Sequence, residues 1–159
     1  MNDTRPTTDL TWTAVAVAAS KRSRCDRAKV GAVIVAADGR VAATGYNGPP
    51  ADWAPATGTC SNWCKRNDWS GEQDFSNCPA VHAELNALLY CDRDQARGGT
   101  LYVTKSPCMG CCKAIAAAGI KRVVWPVAGR REDEERGRVA AEFLAQCGIT
   151  VAEPERTYG

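Results

Sequence analysis

The chain has 159 residues, with 20 Lys and Arg against 18 Asp and Glu and a net charge of +2. That length fits one domain able to bury a core without disulfide support, and so balanced a charge excludes a nucleic-acid surface advertised by composition alone. Apolar runs such as TAVAVAAS and AIAAAGI are too short to span a bilayer, and MNDTRPTTDL lacks the hydrophobic segment of a secretion signal, so a soluble, cytoplasmic protein is expected.

Leu10 to Ser20 mixes apolar and small residues at helical spacing, with Thr and Asp just upstream as caps, and predicts a first helix behind a flexible tail of residues 1–8. In VGAVIVAADGRVAATGYNG two β-prone runs flank Asp38-Gly39, a dipeptide suited to the tight turn of an antiparallel hairpin. Periodicity vanishes over residues 49–78, a stretch rich in Pro, Gly, Trp, Asn and Cys and too long for an ordinary connection. Something other than strand pairing must order it.

Pro79 suits the first turn of a second helix, which Val81, Leu85, Leu88 and Leu89 carry to about Cys91. TLYVT reads as a strand, Pro107 opens a third helix, Gly119 caps it, and KRVVWPVA is the next strand. Arg130 to Gln146 is a charged, Ala-rich helix stopped by Gly148 before a last strand in ITVAE. The order αββαβαβαβ predicts an α/β domain over residues 1–159. Its mixed sheet has an antiparallel hairpin at one side and helices on both faces.

Nine cysteines outside a secretory context point to metal or redox chemistry before a disulfide framework. In SPCMGCCKAIAAAG, Cys108 and Cys111 stand three apart at a helix start, where both sulfurs share a face and the helix dipole favours thiolates. The single histidine, His82, also opens a helix. Two thiolates and one imidazole are a zinc set with a fourth position for water, and parallel crossovers can bring both helix starts to one end of the sheet. Glu84, two residues from His82, can reach such a water without joining the ligands. Each motif alone is weak; together, His-x-Glu and Pro-Cys-x-x-Cys are the signature of zinc nucleobase deaminases. Cys112 points about 100° away from the pair and is placed in the core.

The segments HAELNALL, TLYVTKSPCMGCCKAI and VGAVIV…GYNGPP resemble the deoxycytidylate deaminase family, including bacterial members encoded with DNA-uptake genes. The resemblance implies a three-layer α/β/α cytidine-deaminase-like fold with five strands, the last two parallel, and conversion of dCMP to dUMP. It further implies homo-oligomers, often hexamers, with dCTP and dTTP as effectors. It puts the Ala83 amide on the base carbonyl, the Ser106 carbonyl on the exocyclic amine and Asn47 on the sugar.

Cys25, Cys60, Cys64 and Cys78 could form a closed structural zinc site, stapling the 49–78 loop. The DNA-uptake branch resembles this chain in that cysteine pattern. Free thiols or an incidental disulfide are the alternatives.

No Gly-rich phosphate loop is present, so a nucleotide's phosphate would need cations from several segments. Arg93 is the first candidate, since the resemblance places a phosphate-gating arginine there; Lys65, Arg66 and Lys105 are helpers. The family's tyrosine after the fourth strand is missing from WPVAGRRED. Trp53, Trp63 and Trp69 either stack on a base or fill a satellite core. A deaminase editing RNA or DNA would need a basic surface, which the balanced charge disfavours, and a binding protein without turnover has no need of Glu84.

Overall fold

Thr7, extended in backbone, accepts a hydrogen bond from the Leu10 amide at 3.3 Å and starts helix α1 (Thr8–Ser20) in the computed structural model, which describes residues 5–53, 78–126 and 131–154. This is two residues earlier than the apolar pattern suggests, because the cap lies before the stripe it serves. Strands β1 (Gly31–Val35) and β2 (Val41–Tyr46) form the expected antiparallel hairpin, with Gly39 at φ +86° in the turn. Asp38 Oδ1 accepts from the Arg40 amide there at 3.0 Å.

Helix α2 spans Ala83–Leu89, not Pro79 to Cys91. Residues before it stay extended because Val81 exchanges two backbone hydrogen bonds with Gly48, at 2.8 and 3.1 Å. A short helix the sequence reading lacked, α3 (Arg93–Ala96), precedes β3 (Thr100–Val103). Then follow α4 (Met109–Ala117), β4 (Arg122–Val124), α5 (Arg131–Gln146) and β5 (Thr150–Ala152). Gly119 and Gly148, at φ +82° and +70°, end α4 and α5 as their spacing predicts.

The sheet order is β2-β1-β3-β4-β5; β1 is antiparallel to β2 and β3, while β3, β4 and β5 run parallel. This is the α/β architecture expected. Alternation along the strands makes two cores: Val33, Val35, Tyr102 and Val124 face Ala16 of α1. Ala32, Ile34, Leu101, Val103 and Val123 face the other helices. Every residue of β1 is buried, as a central strand covered on both faces requires. Cys112 is fully buried as expected, and Cys147 is exposed.

Two features bind the layers. Asp9 of α1 accepts from Tyr102 Oη at 2.9 Å and from both terminal nitrogens of Arg122, at 2.8 and 2.5 Å. Gly45 has no side chain because a Cβ would strike the Ala83 carbonyl and the Ala87 amide, so α2 lies directly on β2. Among the described residues no helix is long and apolar enough to cross a membrane.

Candidate active site

Parallel β3 delivers α4 at its C-terminal end, and the Gly48–Val81 bridge brings the start of α2 to that same end. His82 and Cys108 are the residues that begin the two helices, both extended in backbone. Neither side chain caps its own helix, so both are available to each other. The His82 Nδ1 atom lies 3.5 Å from Cys108 Sγ and 3.4 Å from Cys111 Sγ, and all three donor atoms fall within 4.8 Å of one another.

Those distances test the donor set against a metal. Tetrahedral zinc, about 2.3 Å from sulfur and 2.0–2.1 Å from nitrogen, would hold sulfur and nitrogen about 3.6 Å apart. The three residues fit.

Their protonation is strongly coupled. Cys108 is drawn down to about 3, first by its hydrogen bond with the Cys111 thiol and then by that with His82. Cys111, hydrogen-bonded to that thiolate and buried, is pushed far up. His82 is raised by its hydrogen bond with Cys108, against the effect of burial. One negative sulfur is thus already favoured where zinc would need two.

Glu84 sits one turn position after Ala83 and is 4% exposed. Burial pushes its carboxyl up, opposed by hydrogen bonds from its own amide and from Cys111, which place it against the ligand trio. Ala83, as the first residue of α2, has an amide with no acceptor within the helix, and it is fully buried. Asn47 reaches the same end of the sheet, but its side chain is engaged: Oδ1 accepts from the Val30 amide and Nδ2 donates to the Ala28 carbonyl, both at 2.8 Å. One N–H and one lone pair are left over for a ligand. Ser106 is buried just before Pro107, and its hydroxyl has no hydrogen-bond partner.

The remaining sequence candidates separate. Arg93 is exposed at the start of α3, beyond the far end of α2. The seven helical residues between it and His82 amount to about 10 Å, so Arg93 stands more than a helix length along the chain from His82. The helix that follows His82 carries the chain away from the site, which position in sequence alone conceals. Cys60, Cys64, Lys65, Arg66, Trp63 and Trp69 lie outside the described residues. Among the described residues Cys25 and Cys78 form no disulfide; Cys25 donates its amide to Ser23 Oγ at 3.1 Å, and Cys78 lines a cleft of about 320 Å³ beside His82, Cys108 and Cys111.

One residue was missed. Arg136 of α5 is half-buried, lines a second cleft against Cys108, and its charge is felt at His82. The signal was its register: Ala140, Phe143 and Leu144 follow at four, seven and eight residues, so Arg136 stands at the head of the inward stripe, not on a solvated face.

Comparison with known proteins agrees with this geometry. Residues 6–127 match the cytidine and deoxycytidylate deaminase zinc-binding region. The deoxycytidylate deaminase of Mycobacterium phage D29 is 51% identical over 128 residues, covering 77% of this chain and 96% of that protein. ComE operon protein 2 of Bacillus subtilis is 37% identical over 137 residues, 84% of this chain and 64% of that protein. The dCMP deaminase of cyanophage S-TIM5, solved in complex with dCMP and dUMP, superposes with a TM-score of 0.68 at 30% identity, covering 95% of this chain and 99% of that one. The protein therefore belongs to the zinc-binding cytidine and deoxycytidylate deaminase family and is an enzyme of that class.

Proposed function

We propose that the enzyme hydrolyses dCMP to dUMP and ammonia. The observation that carries this is the convergence of His82, Cys108 and Cys111 within 4.8 Å, with buried Glu84 against them. The 51% identity to the phage D29 deoxycytidylate deaminase supports the choice of nucleotide.

Zinc held by the trio supplies the Lewis acidity that makes water a nucleophile near neutral pH. Glu84 takes a proton from the attacking water, delivers it to N3 of the pyrimidine so that C4 becomes electrophilic, and later carries a second proton to the departing amine. Burial suits it to both roles, since a raised carboxyl pKa brings uptake and release closer to working pH. The Ala83 amide holds the base carbonyl, the Ser106 carbonyl takes the exocyclic amine, and the spare valence of Asn47 meets the sugar.

A second zinc, bound by Cys25, Cys60, Cys64 and Cys78, is the structural part of this reading. Leu89 and Tyr90, 72% and 80% exposed at the end of α2, support assembly into a homo-oligomer, and dCTP and dTTP are its proposed effectors.

The test is zinc content together with ammonia release from dCMP, cytidine, dCTP and a tRNA hairpin. Expected are two zinc per chain, falling to one in the Cys60→Ser, Cys64→Ser variant, and turnover of dCMP above the others. Preference for cytidine or the hairpin would overturn the substrate, and one zinc in the wild type would overturn the second site.

A further inference from the structure

We propose that Arg136 binds the phosphate of the nucleotide, an inference that rests on the deaminase reading above. A phosphate hangs one sugar away from the reacting base, so its binder must stand beside the metal ligands without joining them. Arg136 has that position. In the second turn of α5 it lines a cleft of about 360 Å³ with Pro107, Cys108 and Met109 from the start of α4 and with Glu135, Val139 and Ala140 of its own helix. Cys108 belongs to both this cleft and the ligand trio, so the two are neighbours.

The packing of α5 holds the arginine there. Gly137, its neighbour, lies against the ends of the parallel strands: a Cβ on it would stand 3.7 Å from Ser106 Cβ and 3.6 Å from Trp125 Nε1. The adjacent carboxylate, Glu135, is engaged by Arg138 at 2.7 and 3.1 Å, so its charge is met along the helix. Pro107, Met109 and Val139 supply apolar walls, and a planar fork is better suited to a phosphate than an ammonium is. Arg136 would thereby do the work that the sequence reading gave to Arg93.

The experiment measures dUMP and deoxyuridine binding by calorimetry, and kcat and KM for dCMP and deoxycytidine, on the zinc-loaded wild type, Arg136→Ala and Arg136→Lys. Arg136→Ala should weaken dUMP binding and raise KM for dCMP by about tenfold to a hundredfold, the scale of one charge-assisted pair. Deoxyuridine affinity and kcat should hold, which also shows that the variant folds, and Arg136→Lys should recover part of the loss. Arg40→Ala, removing the same charge from the hairpin turn, should change nothing. If the wild type prefers the monophosphates and Arg136→Ala keeps that preference, the assignment to Arg136 is wrong while the deaminase reading stands. A wild type inert toward dCMP overturns the reading beneath it as well.

Discussion

The sheet carries a polar cluster at each of two places, and they differ in how their charges are met. On the α1 face, Asp9, Tyr102 and Arg122 form a closed set: one carboxylate, one guanidinium in two-pronged contact and one hydroxyl. At the starts of α2 and α4, two sulfurs and an imidazole crowd within 4.8 Å with a buried carboxyl against them. A cluster whose members satisfy one another is a fastener. Two sulfurs and an imidazole that converge on one point are the donor set of a cation, and that difference separates structure from chemistry in this protein.

The sharpest way to break the comparison is at Glu84. Glu84→Gln keeps the shape and removes the exchangeable proton, so turnover should fall by about 10²–10⁴ while zinc content stays at the wild-type level. Steady-state ammonia release and metal analysis check both halves; undiminished turnover contradicts the role given to Glu84.

Next in size is Gly45→Val, which acts at a distance. The added side chain must push α2 off β2 at the Ala83 carbonyl, costing about 1–3 kcal/mol and moving His82 with the helix. Thermal unfolding should shift down and zinc affinity should fall together. A stability loss with unchanged zinc binding would mean that the position of α2 does not set the ligand geometry.

Asp9→Asn should do the opposite, lowering stability by about 1–2 kcal/mol with kcat intact, because the Asp9 cluster touches no ligand. Its pH dependence has a definite sign. Arg122 beside Asp9 holds that carboxyl below its ordinary value of 3.8, so as pH falls the unfolded chain takes up the proton first. The stability gap between wild type and Asp9→Asn should be constant above about pH 5 and close as pH drops below 3.8. Chemical denaturation across that range measures it. At the small end, Arg138→Ala removes solvent-exposed pairs to Glu135 and Glu142 and should leave the melting temperature unchanged within error.

What could be read in advance follows the same divide. Local chemistry was legible: Asp38-Gly39 has one good use in a hairpin, Gly119 and Gly148 end helices by adopting positive φ, and His-x-Glu with Cys-x-x-Cys has few uses besides zinc. The start of α2 was misplaced because Pro79 is equally suited to an extended segment, and only the pairing of Val81 with Gly48, 33 positions away, decides between them. Arg136 was passed over for the same reason: it is 54 positions from His82 in sequence, yet it shares a cleft with Cys108. Long-range proximity depends on strand order, which no local pattern carries.

The claim that everything else depends on is that His82, Cys108 and Cys111 hold one catalytic zinc. Zinc content and ammonia release from dCMP, measured on wild type and Cys111→Ser side by side, test it most directly. The account predicts that Cys111→Ser loses one equivalent of zinc and its turnover together. Full zinc content with full turnover in that variant would contradict it.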